Sequence, residues 1–212
     1  YNISAKKLKG CEYFFTTVTV TGTESMIMTA VLAEGTTVLK NCAMEPEIEA
    51  LADYLNQQGA KIKGAGTPTI VIEGVEKIKA GVFNVIPDRI ETGTFAIMAA
   101  VTQSDIKITK CNPNHVESLL AIFRKQGIDF ERGSDWLRIK PSKKILAYDI
   151  KTHEYPGFPT DLQSPYTVLA TQAEGSSLIH ETIYDRRLLF TDMLTQMGAD
   201  IIMCDPHRVV IT

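Results

Sequence analysis

The 212 residues, 44% hydrophobic and 22% charged, are enough for one large globular domain or two small ones. A net charge of −3 and a pI near 5.8 argue against the basic face of a nucleic-acid binder. No apolar run approaches the ~18 residues of a membrane span. The four cysteines (Cys11, Cys42, Cys111, Cys204) and four histidines (His115, His153, His180, His207) are scattered and fit no zinc-ligand spacing. They point to reduced thiols in a cytoplasmic protein with no metal and no cofactor. Because the chain starts at Tyr1 and its first repeat begins almost at once, it is expected to be cut from a longer protein.

In chain order the residues spell one unit three times. Gln57-Gln58-Gly59-Ala60-Lys61-Ile62, Lys125-Gln126-Gly127-Ile128-Asp129-Phe130 and Gln196-Met197-Gly198-Ala199-Asp200-Ile201 put marker glycines 68 and 71 positions apart. Ile27-Met28-Thr29-Ala30-Val31 recurs as Ile97-Met98-Ala99-Ala100-Val101, and Ala33-Glu34-Gly35-Thr36-Thr37 as Ala173-Glu174-Gly175-Ser176-Ser177. Each unit is predicted as a first helix, a Gly- or Ser-containing turn, a strand, a second helix, the marker glycine and a closing strand pair. One further strand should precede each. Acidic residues and a proline in Glu45-Pro46-Glu47 suit the first turn of a second helix. Ile48, Leu51, Ala52 and Leu55, like Val116, Leu119, Leu120 and Phe123, form the stripe of a helix lying on a sheet. The marker glycine fits a left-handed helix C-terminus. Ala60–Lys63 and Thr69–Glu73 read as strands joined by a hairpin turn at Gly64-Ala65-Gly66-Thr67-Pro68. No helix follows that Gly-Ala-Gly, as a phosphate loop would require. The stretch Val82 to Asp88 is the best domain boundary, with residues 1–84 in one domain and 85–212 in the other.

The copies disagree at two informative places. Thr21, Glu91 and Asp161 fall at equivalent positions near the start of each first helix, where the simplest role is an N-cap. The approach to Asp161, Tyr155-Pro156-Gly157-Phe158-Pro159-Thr160, is stiffened by prolines, which fixes where one carboxylate points. Eleven positions before the marker glycines stand Ile48, Val116 and Arg187. Arg187 is then either a solvated helix-start residue or a guanidinium suited to carboxylate or phosphate. A one-residue shift of register in the third unit would also move Arg187 out of the core slot.

These segments carry a resemblance. Leu32-Ala33-Glu34-Gly35-Thr36-Thr37, Glu45-Pro46-Glu47-Ile48, Gly59 through Thr67, Ile86-Pro87-Asp88-Arg89-Ile90-Glu91-Thr92-Gly93-Thr94-Phe95 and Pro156-Gly157-Phe158-Pro159-Thr160-Asp161-Leu162-Gln163 resemble the UDP-N-acetylglucosamine enolpyruvyl transferase family along essentially the whole chain. The resemblance implies an α/β fold of the inverse-barrel type with three of six units present. The first unit would close one domain and the other two would open the second. It implies transfer of enolpyruvate from phosphoenolpyruvate to the 3-hydroxyl of UDP-N-acetylglucosamine, the first committed step of peptidoglycan synthesis.

Carried over residue by residue, Asp161 is the base at the sugar hydroxyl and Ile183 binds the nucleotide sugar through its backbone. Arg187 lies near the closed active site, and Thr17, Val18, Thr19 and Val20 hold the diphosphate end. Thr17 replaces the family's usual lysine and Thr21-Gly22 its Gly-Ala, which leaves backbone donors at the diphosphate rather than a side-chain cation. The family's loop cysteine, its amino-terminal Lys-Asn pair and its carboxy-terminal arginines match no position here. The chain is therefore expected to be an inactive portion of the enzyme, with exposed half-domain faces that drive self-association. The competing readings are the related shikimate-phosphate enolpyruvyl transferase, against which Phe158-Pro159-Thr160-Asp161 argues, and a non-catalytic repeat module that binds a partner.

Overall fold

The computed structural model describes Asn2 and residues 4–212, and divides into two compact units, residues 1–86 and 87–212. In the first, β1 (Glu12–Phe14), α1 (Val20–Ala30), β2 (Thr36–Lys40), α2 (Pro46–Gln57), β3 (Lys61–Lys63) and β4 (Thr69–Glu73) give a four-stranded sheet ordered β1-β2-β4-β3. β1 and β2 are parallel across α1, while β4 runs antiparallel to both its neighbours. The second unit repeats this plan twice. α3 (Arg89–Val101), β5 (Ile106–Thr109), α4 (Glu117–Gln126), β6 (Phe130–Arg132) and β7 (Trp136–Ile139) form a three-stranded sheet ordered β5-β7-β6. β8 (Ile150–Lys151), α5 (Gln163–Ala170), β9 (Ser177–His180), α6 (Thr191–Gln196), β10 (Ile201–Asp205) and β11 (Arg208–Ile211) form a four-stranded one, in which β8, β9, β11 and β10 are neighbours in that order. Each repeat thus places its last strand between the two strands that precede it in the chain. No sheet among the described residues closes into a barrel.

The middle repeat departs from expectation, because no strand precedes α3. Pro87 has no N–H to give a ladder, and Lys79 N–H is already donated to the Gln58 carbonyl. Val82 and Val85 are more than four-fifths exposed. The marker glycines behave as the sequence predicts. Gly59, Gly127 and Gly198 have φ of 103°, 77° and 100°, a left-handed conformation in which a Cβ is costly. The residues 64–68 make the β3–β4 hairpin turn, closed by Thr67 Oγ1 donating to the Gly64 carbonyl at 2.8 Å.

Helices α2 and α4 bury their apolar stripes in the core of their own unit. Ile48, Ala52 and Leu55 of α2 join Ile27, Leu39, Ile70 and Ile72 in the first unit's core. Leu119, Leu120 and Phe123 of α4 pack with Leu137 and Ile139 in the second, but Val116 sits in a preceding 3-10 turn (Pro113–Val116), not in the helix. In the same core α3 packs closely on the turn that leads into α5: a Cβ on Gly93 would stand 2.4 Å from Leu162 Cδ1. Tyr166 of α5 is fully buried, packs edge-on to Phe158 at 5.4 Å, and donates its hydroxyl to the Tyr148 carbonyl at 3.0 Å. Burial pushes its pKa up, so it stays a neutral donor.

Two predictions follow from this packing. Tyr166→Phe removes one buried hydrogen bond without a cavity and should cost roughly 0.5–1.5 kcal/mol. The chain's one tryptophan, Trp136 in β7, reports the second unit's urea transition by fluorescence, and an unchanged midpoint would contradict the estimate. In the first unit Glu24 of α1 is pushed above the usual carboxylate range by burial, then by the negative charges of Glu47 and Glu45. A folded-state pKa raised above the unfolded value penalises the fold once pH exceeds both, and the penalty fades as pH falls below the unfolded value. Glu24→Gln should therefore raise the melting temperature at pH 7 and lose that advantage as pH falls below about 3.5, where the wild-type carboxyl is largely protonated in both states. A gain that persists unchanged at acidic pH would show that charge is not the cause.

Candidate active site

Three repeats offer three equivalent helix starts, and the structure equips them differently. In the first, Thr19 is extended (φ −144°, ψ 123°) and caps α1, accepting from Gly22 N–H at 3.2 Å while its carbonyl accepts from Thr23 N–H at 3.0 Å. Thr21, expected as the cap, is instead the helix's second residue. Thr17 is exposed, Val18 to Val20 are half-buried, and the first turn of α1 holds no acidic residue. The first N–H groups of a helix have no intrahelical acceptors, and Thr19 Oγ1 takes up only that of Gly22, which leaves other donors at the start of α1 for an anion.

In the second repeat the cap is Asp88, not Glu91. Its Oδ1 accepts from the N–H groups of Ile90 and Glu91 at 2.7 and 3.1 Å. The offsets from the expected positions have a simple reason, since an Asx or Thr side chain reaches the N–H two or three positions on, and Thr19 and Asp88 stand where that reach works. In the third repeat no side chain caps. Asp161 lies in a 3-10 turn (Thr160–Leu162) led in by Pro159 in extended conformation. Its Oδ1 accepts from Arg187 Nη2 at 2.8 Å, and its side chain is 55% exposed. The carboxylate is thus free of any structural duty to a helix end and presented to solvent on a guanidinium.

The approach to that turn is well anchored. His153 N–H donates to the Phe158 carbonyl at 2.9 Å, Gly157 N–H to the Glu154 carbonyl at 2.8 Å, and Phe158 is buried against Tyr166. The guanidinium of Arg89 lies 5.6 Å from the centre of the Tyr155 ring. Arg187, in the turn after β9, is 28% exposed and stacks 5.3 Å from the Tyr184 ring. It occupies neither the core slot nor a helix start. The register shift puts Leu188, fully buried, in the slot that Ile48 and Val116 fill, and α6 begins only at Thr191. Ile183 lies in the same turn, and its N–H is committed to Glu181 Oε1 at 2.8 Å, so a backbone contact there falls to its carbonyl.

Glu181 was not singled out from the sequence. It is completely buried and receives hydrogen bonds from Thr152, Thr160, Ile183 and Tyr184. A glutamate directly after a strand, flanked by His180 and Thr182, carries no periodic or motif signal that marks it. Of the expected site residues, Asp161, Ile183 and Arg187 therefore share one network in the second unit, while Thr17, Val18, Thr19 and Val20 make the start of α1 in the first. A carboxylate held against a guanidinium, beside a turn with an unengaged backbone carbonyl, can accept a proton from a bound hydroxyl and orient an anionic neighbour.

Comparison with known proteins agrees with this architecture. The family model of EPSP synthase (3-phosphoshikimate 1-carboxyvinyltransferase) matches residues 1–209. The UDP-N-acetylglucosamine 1-carboxyvinyltransferase of Desulforapulum autotrophicum is 48% identical over 197 residues, covering 93% of this chain and 47% of its own. The protein of the same description from Desulfatibacillum aliphaticivorans is 43% identical over 208 residues, covering 98% and 50%. The chain spans about half the length of these curated relatives. Among solved structures, the enolpyruvyl transferase NikO from Streptomyces tendae superposes with a TM-score of 0.88 at 22% identity, over 98% of this chain and 52% of that one. EPSP synthase from Acinetobacter baumannii gives 0.70 at 20% identity, over 97% and 49%, so these two share the fold. By its fold, its repeated unit and the match along nearly all of its length, the chain belongs to the EPSP synthase family of enolpyruvyl transferases.

Proposed function

We propose that this chain is the central part of a cytoplasmic UDP-N-acetylglucosamine enolpyruvyl transferase serving peptidoglycan synthesis. Residues 1–84 would belong to one domain and 85–212 to the next. The observation that carries the reading is Asp161, a carboxylate at the approach to α5 that caps no helix and is held by Arg187 instead. Relatives more than 40% identical that are described as acting on UDP-N-acetylglucosamine favour this substrate over shikimate phosphate.

The chemistry divides into steps that these residues can and cannot serve. Asp161 accepts the proton of the sugar 3-hydroxyl as its oxygen bonds to C2 of phosphoenolpyruvate, while the methylene carbon gains a proton from an acid. Loss of phosphate and of one methyl proton then restores the double bond in the product. Arg187 holds the Asp161 carboxylate and its charge favours the anionic partner nearby. The Ile183 carbonyl orients the sugar, and the backbone donors at Thr17 to Val20 bind the diphosphate without a lysine at position 17. The acid and most of the cations that phosphate departure needs are not among these residues. Exposed Met28 and Leu32, and in the other unit Phe95 and Met98, are apolar side chains of the kind that favour self-association of the chain as it stands.

Two outcomes are expected. The 212-residue chain alone should not release phosphate from phosphoenolpyruvate in the presence of the nucleotide sugar, and turnover above a protein-free blank would sink that part of the reading. In the full-length protein, Asp161→Asn should lower kcat by about 10²–10⁴-fold, because an amide cannot take the proton. Its melting temperature should hardly move, since no helix end depends on the side chain. Wild-type kcat in this variant would remove Asp161 from the mechanism.

A further inference from the structure

Glu181 is the one fully buried carboxylate among the described residues, and both of its oxygens are in use. Oε2 accepts from Thr160 Oγ1 at 2.9 Å. Oε1 accepts from Thr152 Oγ1 at 3.1 Å and from the N–H groups of Ile183 and Tyr184 at 2.8 and 3.1 Å. The ring closes through Thr152, also fully buried. Its Oγ1 accepts from Thr182 N–H at 2.8 Å, and its carbonyl accepts from Thr182 Oγ1 at 2.6 Å. Glu181 N–H is itself donated to the His207 carbonyl at 2.8 Å, which ties the group to the turn between β10 and β11.

A buried carboxylate is an acceptor-only group that is tolerated inside a protein when donors converge on it. Here four donors do so, and they come from three separate segments: the end of β8, the turn that carries Asp161, and the turn that carries Ile183 and Arg187. An apolar side chain of the same volume would leave two backbone N–H groups without acceptors and would link nothing. The two oxygens divide the work. Oε2 reaches toward the residue next to Asp161, and Oε1 holds the backbone next to Ile183.

We propose that Glu181 is a positioning residue of the site: through Thr160 it sets where the Asp161 carboxylate stands, and through Ile183 and Tyr184 it sets the turn that presents the sugar contact and Arg187. This rests on the reading of Asp161 as the base. Glu181 touches no substrate, being wholly buried, and it acts only through these partners. Because the arms leave from different oxygens, they can be cut one at a time. Thr160→Val severs only the Oε2 arm with an isosteric side chain. Glu181→Ala severs both, and Glu181→Gln keeps an amide oxygen for the two N–H groups while its NH₂ faces a hydroxyl that can turn to accept.

The test uses the full-length protein, with kcat from phosphate release, nucleotide-sugar affinity from calorimetry, and melting temperature as a control. Thr160→Val should lower kcat about tenfold while changing UDP-N-acetylglucosamine affinity less than about twofold, since only the base is misplaced. Glu181→Ala should lose both kcat and affinity, with Glu181→Gln recovering most of the affinity; if the alanine variant does not fold, Thr160→Val decides alone. Wild-type kcat in Thr160→Val, or equal losses of kcat and affinity, would overturn the proposal. Asp161→Asn in the same assay separates the two ideas. A dead Asp161→Asn beside an unimpaired Thr160→Val defeats the positioning role only, whereas an active Asp161→Asn defeats the base and this proposal with it.

Discussion

The convergence of four donors on the buried carboxylate of Glu181 is the constraint around which the third repeat is arranged. Desolvating a carboxylate is unfavourable by several kcal/mol unless its acceptors are filled. The segments that fill them are therefore held in one relation to one another, since displacing any of them leaves part of the charge unanswered. Those segments are also the ones that bear Asp161, Ile183 and Arg187. The Asp161–Arg187 contact, by comparison, is a partly exposed ion pair and is screened by solvent. It orients a carboxylate, while the buried network beneath it supplies the rigidity.

A repeated unit makes plain where the copies differ. In the first two repeats a side chain caps the start of the first helix: Thr19 accepts from one of the orphan N–H groups and Asp88 from two. In the third, Pro159 and a 3-10 turn take over the entry to α5, and the carboxylate at that place caps nothing and accepts from Arg187 instead. The turn after β9 changes in parallel. Where the other repeats have a second helix of ten or twelve residues, the third has a turn with Arg186 at positive φ and a helix of only six. Stability in these two copies rests on regular helices, and the third gives up part of that regularity at the place where polar groups gather.

Much of this was legible in the sequence, for identifiable reasons. Period and helix termination follow from local chemistry: a left-handed residue is needed at Gly59, Gly127 and Gly198, and the stripes at Ile48 and Leu119 follow a 3.6-residue period. The hairpin at residues 64–68 was legible on the same grounds. What escaped depended on distances that no spacing encodes. Thr21, Glu91 and Asp161 align in number, but capping depends on which side chain reaches an N–H two or three residues on, and that favoured Thr19 and Asp88 and nothing in the third copy. The expected strand before α3 is absent, and Val82 and Val85 are left exposed. Glu181 was invisible because its meaning comes from partners at Thr152 and Thr160, some twenty to thirty residues earlier in the chain. The resemblance named Asp161, Ile183 and Arg187 as site residues, and the geometry shows the network that joins them.

The central claim is that Asp161 faces the reacting hydroxyl and that its neighbours hold it there. The most direct measurement is a crystal structure of the full-length protein with UDP-N-acetylglucosamine bound. The account predicts the sugar 3-hydroxyl oxygen within about 2.6–3.2 Å of an Asp161 carboxylate oxygen, with the Glu181 hydrogen bonds to Thr160, Ile183 and Tyr184 intact. A sugar whose 3-hydroxyl is turned away from Asp161, or one seated without any contact to the Ile183 turn, would contradict it.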